Sequence, residues 1–194
     1  MITIVDYGDE CTQVVASALK KITTDFLVSR NETNICSSDR IIFPGCGSPS
    51  AAMKKIHLLN LHSALRIVKK PMLGIGLGMQ LMADYSKEGN FPCLGLFPGT
   101  SVKFENTEGS SLYKGMHKVK ILKHSKLFHG IDDNSEFYFN NAYYLPVSEL
   151  STSTCQIDVE FCSSLESKNF YAVQFHPEMS GEVGSKLLKN FVEM

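Results

Sequence analysis

The sequence predicts a three-layer α/β fold of the flavodoxin-like type, in which helices cover both faces of a mostly parallel sheet that continues into an antiparallel section. In the first half, short β-branched runs alternate with segments of helical periodicity, which is typical of parallel sheets. Between residues 92 and 144, short apolar runs separated by Gly, Pro, Asn and Asp indicate antiparallel strands. A length of 194 residues is ordinary for one domain, so we expect a single domain over residues 1–194.

Apolar periodicity defines the elements of the first half. A stripe at helical spacing predicts a helix over residues 12–22, and a second stripe predicts one helix over residues 50–68, which Pro71 stops. A short helix is predicted over residues 79–85. The predicted strands of this half lie at residues 2–5, 26–28 and 41–43 and in the apolar run after Pro71.

The second half is predicted to consist mainly of strands. Cys155, Ile157, Val159 and Phe161 alternate with polar residues, which predicts one half-buried strand. A further strand at residues 170–175 precedes an amphipathic helix with apolar positions at 183, 187, 188 and 191. The antiparallel runs are predicted at residues 94–97, 101–104, 116–122 and 136–139.

The composition excludes several classes of protein. With 43% apolar residues, 20% charged residues and a formal charge of -1, we expect neither a nucleic-acid nor a membrane-surface partner. Six scattered cysteines show no zinc-binding spacing, so we expect no metal, no cofactor and no disulfide framework. The chain begins on an apolar strand without an export leader and has no run of transmembrane length, which favours a cytoplasmic location.

The stretch from Pro71 to Leu81 has the layout of a nucleophile elbow. In such a turn a strand passes into a helix through a sharp, strained corner, and the flanking glycines leave room for substrate and oxyanion. Gly74 and Gly78 flank the corner here, and Gly76 occupies it, so the corner carries no nucleophile. A glycine-rich phosphate loop is the alternative, but the spacing is not Gly-x-Gly-x-x-Gly.

Three further segments carry candidate site residues. The segment Pro44 to Gly47 follows a strand, and its two glycines allow close approach of backbone N–H groups to a ligand, although a plain turn has the same composition. His176 and Glu178 could form a base and its orienting carboxylate, or merely a strand end with a proline turn. The thiol of Cys46 would lie near the elbow, where we regard a buried apolar role as the better interpretation.

Residues 73–80 resemble the motif Leu-Gly-Ile-Cys-Leu-Gly-Met-Gln of class I glutamine amidotransferases and depart from it only at Gly76. Residues 173–181 resemble the second signature, Val-Gln-Phe-His-Pro-Glu-Lys-Ser-Gly, with Met179 in place of lysine. Within the family, the resemblance is closest to the glutaminase subunits of imidazole glycerol phosphate synthase. It implies hydrolysis of glutamine by a Cys-His-Glu triad and transfer of ammonia to a (β/α)₈ synthase partner in a heterodimer.

The resemblance also implies roles for individual residues. His176 corresponds to the family's general base and Glu178 to its orienter, while Gly76 stands at the nucleophile position. Residues 138–144 resemble Tyr-Phe-Val-His-Ser-Tyr-Tyr, with Asn141 and Ala142 where His and Ser are usual. The residues that the resemblance places around glutamine or its oxyanion are Gly45, Gly47, Gly78, Gln80, Asn141 and Ala142.

The missing cysteine leaves three hypotheses. The chain could be a working amidotransferase subunit whose cysteine has been replaced, with negligible glutaminase activity as written. It could be a natural pseudo-glutaminase that supports a synthase partner, for example in a paralogous enzyme that adds nitrogen to surface-polysaccharide sugars. It could also be a stand-alone protein that binds glutamine. Natural divergence accounts best for the departures at Gly76, Asn141, Ala142 and Met179 together.

Overall fold

The computed structural model describes residues 1–105 and 112–194. The helices are α1 (Cys11–Leu19), α2 (Glu32–Ser37), α3 (Pro49–Leu58), α4 (Leu61–Ile67), α5 (Leu77–Met82) and α6 (Gly181–Glu193). The strands are β1 (Ile2–Val5), β2 (Phe26–Ser29), β3 (Arg40–Gly45), β4 (Met72–Gly76), β5 (Tyr85–Ser86), β6 (Phe91–Pro92), β7 (Thr100–Lys103), β8 (Tyr113–Ile121), β9 (Glu136–Asn141), β10 (Tyr143–Tyr144), β11 (Ser151–Gln156), β12 (Glu160–Ser167) and β13 (Phe170–Val173).

The main sheet has the strand order β2-β1-β3-β4-β13-β12-β11-β8-β9. Its pairs from β2 to β13 are parallel. The pairs from β13 to β9 are antiparallel. This architecture confirms the predicted α/β fold with an appended antiparallel section. Residues 106–111, which fall within the region predicted to be antiparallel, lie outside the described part of the chain.

A smaller sheet of order β10-β7-β5-β6 lies beside the main one, and the sequence patterns did not predict it as a separate sheet. It is mixed, because β5 pairs with β7 in parallel and with β6 in antiparallel orientation. The predicted strand at residues 94–97 does not form, and the helix after the elbow ends at Met82 rather than at residue 85. Tyr85 instead begins β5.

Helices cover the main sheet on both faces. On β3, Ile42 belongs to the core cluster that also contains Val15 of α1 and Leu187 of α6. Phe43 belongs to the cluster on the opposite face, which also contains Met53 of α3 and Ile35 of α2. This alternation follows from the two-residue period of a strand that is buried on both sides. In the described part of the chain, no helix combines the length and apolarity needed to cross a membrane.

The single helix predicted over residues 50–68 is wrong, because two helices occupy this region. Asn60 lies between α3 and α4 with a left-handed backbone (φ 56°). Asparagine adopts this conformation more readily than most residues, and it ends the regular hydrogen-bonding pattern of α3. The apolar stripe continues across the break, so periodicity did not reveal it.

The strand predicted from Cys155 to Phe161 is also wrong, since these residues belong to two strands joined by a turn. Cys155 of β11 pairs with Phe161 of β12, and Gln156 pairs with Glu160. Ile157 donates a backbone hydrogen bond to Val159 within the turn. The two apolar residues are cross-strand neighbours on one face, which imitates the alternation of a single strand.

The sequence patterns also missed α2, which has only six residues. The N-terminus of α2 is capped by the Asn31 side chain, which accepts hydrogen bonds from the backbone N–H groups of Thr33 and Asn34. Such a cap is a sequence-level signal, but a helix this short shows too few apolar positions for a periodicity argument.

The carboxyl ends of the central parallel strands meet at one edge of the sheet. Gly45, the last residue of β3, is in register with Gly76, the last residue of β4. The adjacent strand β13 ends at Val173, three residues before His176. Ligands of open α/β sheets bind at this edge, so the topology brings the two predicted signatures together.

We expect Gly78→Ala to destabilise the protein by about 2–3 kcal/mol, because it overpacks the contact between α5 and β3. A Cβ atom at this position would lie 2.0 Å from the carbonyl oxygen of Phe43, which is a backbone atom and cannot rotate away. Gly99→Ala is the control, since its Cβ would lie 3.4 Å from a Leu145 methyl carbon. Denaturant unfolding checks the difference, and equal stabilities of the two variants would contradict the expectation.

Candidate active site

Gly76 forms the corner between β4 and α5. Its backbone (φ 60°, ψ -118°) lies in a region that L-residues with a side chain rarely adopt. A Cβ atom at Gly76 would lie 2.7 Å from Cε1 and 3.0 Å from Nε2 of His176, and 2.9 Å from the carbonyl oxygen of Gly45. The corner therefore has the geometry of a nucleophile elbow whose side chain would point at the imidazole.

His176 and Glu178 form a buried pair. Nδ1 of His176 lies 2.8 Å from Oε1 of Glu178, and the two side chains are only 7% and 1% exposed. A carboxylate at Nδ1 favours the tautomer with a proton on that nitrogen, which leaves Nε2 as a proton acceptor toward residue 76. The pair thus has the arrangement of a base with an orienting carboxylate.

The turn after β13 holds His176 in place. Its backbone N–H donates to the carbonyl oxygen of Tyr138 at 2.8 Å. The Ser180 hydroxyl donates to the carbonyl oxygen of His176 at 2.6 Å and accepts from the backbone N–H of Tyr138 at 2.9 Å. These hydrogen bonds join strand β9 to His176 and Ser180, the two residues that flank the 3₁₀ turn Pro177–Met179.

A cavity of about 270 Å³ opens beside His176. It brings together the predicted residues Gly45, Gly47, Gln80, Asn141 and Ala142 with the histidine. Gly78 is not part of its lining. The structure places Gly78 against the carbonyl of Phe43, so this glycine allows α5 to approach β3 closely, and its role at the substrate stays a prediction.

Two buried amides shape the floor of this cavity. Nε2 of Gln80 donates to the carbonyl oxygen of Tyr143 and to Oε1 of Gln174, both at 3.0 Å. Nδ2 of Asn141 donates to the same Tyr143 carbonyl at 3.0 Å. Oε1 of Gln80 and Oδ1 of Asn141 are buried and accept no hydrogen bond from the described residues. Both residues line the cavity, and each side-chain oxygen keeps its capacity to accept a hydrogen bond.

The sequence patterns missed the contribution of the loop after β1. The Asp9 carboxylate accepts from the backbone N–H groups of Cys46 at 2.9 Å and Cys11 at 2.7 Å, and from the Tyr7 hydroxyl at 3.1 Å. The Tyr7 hydroxyl also lies 3.0 Å from the carbonyl oxygen of Pro44. Because this loop leaves the carboxyl end of a parallel strand, its place at the site could have been inferred from topology. Gln174 was missed as well, although it lies in the second signature.

Cys46 faces Asp9 and lines the cavity, but its thiol is not activated. Its Sγ donates to Oδ1 of Asp9 at 3.3 Å. Burial raises the pKa of the Cys46 thiol above its ordinary value, and the Asp9 carboxylate raises it further. Burial likewise raises the pKa of Cys11 far above its ordinary value. These environments favour the neutral thiol over the nucleophilic thiolate, which argues against Cys46 as a substitute nucleophile.

A family model, glutamine amidotransferase class-I, matches residues 3–194 of the chain. The chain therefore belongs to the class I glutamine amidotransferase family. Within this family it is similar to proteins named imidazole glycerol phosphate synthase subunit HisH. It is 41% identical to the one from Mannheimia succiniciproducens, covering 98% of both chains, and 38% identical to the one from Haemophilus influenzae, covering 99% of this chain and 96% of the relative.

The fold itself matches solved structures at lower identity. A crystal structure of a glutamine amidotransferase superimposes with a TM-score of 0.75 at 14% identity, covering 100% of this chain and 98% of that one. At this identity the match supports the fold alone. Together with the family model, it confirms the predicted fold class and the predicted family.

We expect iodoacetamide at about pH 7.5 to alkylate Cys11 at least tenfold more slowly than Cys36, because burial raises the pKa of Cys11 far above its ordinary value and each unit of raised pKa lowers the thiolate fraction about tenfold. Cys46 is half-buried and should also react more slowly than the exposed Cys36. Cys36 is exposed and serves as the internal control. The rates for Cys11 and Cys46 should increase as the pH rises toward their raised pKa values. Peptide mass spectrometry of metal-free protein measures all three. Faster alkylation of Cys46 than of Cys36 would contradict the expectation.

Proposed function

We propose that this chain is the glutaminase-type subunit of an imidazole glycerol phosphate synthase, and that it binds glutamine but hydrolyses it negligibly. The names of its relatives support the assignment to this enzyme. The cavity beside His176 supports the binding of a small polar ligand. We further propose that residues 1–194 act as one domain and that the protein is cytoplasmic.

The geometry at Gly76 is the observation that carries this proposal. Nε2 of His176 lies 3.0 Å from the place where a Cβ atom at residue 76 would be. In an intact triad, the imidazole would take the thiol proton, the thiolate would attack the glutamine amide, and the protonated imidazole would return the proton to the leaving ammonia. Here the base and its carboxylate remain, but there is no sulfur to attack the amide.

The expected loss of turnover without a nucleophile is large enough to make glutamine hydrolysis negligible. Removing the nucleophile of a hydrolytic triad costs on the order of a million-fold in turnover, by analogy with the serine hydrolases. A positioned base alone contributes roughly 10²–10⁴-fold. The retained His176 and Glu178 therefore do not compensate for the absence of the nucleophile.

We propose a (β/α)₈ synthase subunit as the partner, in a heterodimer. Met179 follows Glu178 directly and is 50% exposed, where the related signature carries a lysine. The exchange removes a positive charge from the surface next to the site. The surface presented to a synthase subunit therefore differs in charge from that of a chain with the usual signature.

A second candidate is a natural pseudo-glutaminase of a paralogous amidotransferase, such as one that adds nitrogen to a surface-polysaccharide sugar. The departures at Asn141, Ala142 and Met179 favour it, since two of them line the cavity and the third is exposed beside it. In this case the subunit would bind a different synthase and support its use of free ammonia.

We expect Gly76→Cys to raise the rate of glutamine hydrolysis by up to a million-fold in the presence of a histidine-pathway synthase subunit, because the new thiol would lie beside the imidazole of His176. Both the imidazole and the backbone at Gly45 must shift to accept the side chain, since the new Cβ would be 2.7 Å from Cε1 of His176 and 2.9 Å from the Gly45 carbonyl oxygen. Release of ammonia and glutamate is measured with and without the partner.

The double variant Gly76→Cys/His176→Ala is the control and should return to the background rate. Activity only with a sugar-amidating synthase would favour the second candidate. Turnover by the unmodified protein would contradict the proposed loss of hydrolysis.

We expect the unmodified protein to bind glutamine without converting it, and Asn141→Ala to weaken binding about 5- to 10-fold, the effect of losing one hydrogen bond. Asn141 lines the cavity, and its Oδ1 has no hydrogen-bond partner among the described residues. Isothermal titration calorimetry measures both affinities. Gln13→Ala, an exposed change on α1, is the control. Equal affinities of the two variants would remove Asn141 from the glutamine site.

A further inference from the structure

Two thiols and a carboxylate converge beside the cavity. The Sγ atoms of Cys11 and Cys46 and a carboxylate oxygen of Asp9 all lie within 4.8 Å of one another, and all three residues are half-buried. Asp9 and Cys11 come from the loop after β1 and the start of α1, whereas Cys46 comes from the loop after β3. The fold therefore builds this cluster from segments that are distant in sequence.

The donor set and its spacing fit one ion of borderline softness. Zinc binds cysteine sulfur at about 2.3 Å and carboxylate oxygen at about 2.0–2.2 Å. In a tetrahedral site these bond lengths place the donor atoms roughly 3.5–3.8 Å apart. Donors that already lie within 4.8 Å of one another reach this separation through small side-chain rotations. Two sulfurs with one oxygen favour zinc over magnesium or calcium.

The surroundings of Asp9 orient the cluster. Its carboxylate is held by the backbone N–H groups of Cys11 and Cys46 and by the Tyr7 hydroxyl. Hydrogen bonds of this kind fix the direction of a ligating group and typically account for a 10- to 100-fold change in metal affinity. The cluster thus brings together three groups that ligate metal ions in their deprotonated form. A divalent ion would offset the negative charge of these ligands.

The cluster is also accessible to an ion. Asp9 and Cys46 line an open cavity of about 310 Å³ together with Tyr7, Gly8 and Gly47. Cys46 lines the cavity beside His176 as well. An ion could therefore enter from solvent and keep a fourth position for water or another ligand, as zinc sites with three protein ligands do.

We propose that Asp9, Cys11 and Cys46 form a zinc site that fastens the loop after β1 to the Gly45–Gly47 loop. The two thiols ligate as thiolates and release their protons to solvent, while Asp9 ligates through one oxygen. The ion then holds in place the backbone that lines the cavity beside His176. This proposal does not depend on the proposed function, because it concerns residues outside the His176–Glu178 pair.

Metal-free, reduced full-length protein is titrated with Co²⁺ as a spectroscopic probe and with Zn²⁺ against a chromophoric chelator. We expect one equivalent to bind, with a sulfur-to-cobalt charge-transfer band in the near ultraviolet. Cys11→Ser and Cys46→Ser should each remove this band or reduce it by half and weaken Zn²⁺ binding at least about 100-fold, more than the loss of an outer hydrogen bond. Cys36→Ser, an exposed thiol on α2, should leave both unchanged.

A second measurement needs no variant and covers the case in which a serine variant fails to fold. Zn²⁺ should slow alkylation of Cys11 and Cys46 in the unmodified protein at least tenfold while leaving Cys36 unaffected. Absence of the charge-transfer band, or a band and an affinity that persist in both Cys11→Ser and Cys46→Ser, would overturn the proposal. Equal protection of all three thiols would overturn it as well.

Discussion

The close approach of α5 to β3 is the contact on which the site depends. The space for a Cβ atom at Gly78 is filled by the carbonyl of Phe43, and the space at Gly45 is filled by the backbone N of Gly78 at 2.7 Å and the Tyr7 hydroxyl at 2.9 Å. Only glycines allow β3, β4 and α5 to meet this tightly. At the corner that follows, a side chain at residue 76 would point at His176.

The parallel sheet completes the site around this corner. Because β4 lies between β3 and β13, one strand end supplies the elbow, a second supplies the Gly45–Gly47 loop, and the third leads to His176. The hydrogen bonds from β9 and Ser180 then fix the imidazole next to the position of the missing thiol. The site thus keeps the buried His176–Glu178 pair beside the corner, while residue 76 carries no side chain. Family membership and chemistry are therefore separate questions for this chain.

Much of the fold followed from local patterns. Strands such as β1 and β3 and the helix α6 were predicted because apolar periodicity marks elements buried against a sheet. The errors arose where a pattern ran across a break. Asn60 interrupts one apolar stripe by its left-handed backbone, and the turn between Cys155 and Phe161 places two strands in an arrangement that imitates one. The apolar periodicity of a sequence does not reveal a chain reversal when the residues on both sides of the turn lie on the same buried face.

The sequence by itself determined the α/β class and the family, and it predicted His176 and Glu178 as site residues, since contiguous motifs carry both signatures. Only the tertiary structure showed that Gly78 packs against the carbonyl of Phe43 and that Gln80 donates hydrogen bonds to Gln174 and Tyr143. It also showed that the side chains of Asp9, Cys11 and Cys46 lie together. These relations connect residues far apart along the chain. They exist because strands adjacent in the sheet end at one edge, and sequence spacing alone does not encode that adjacency.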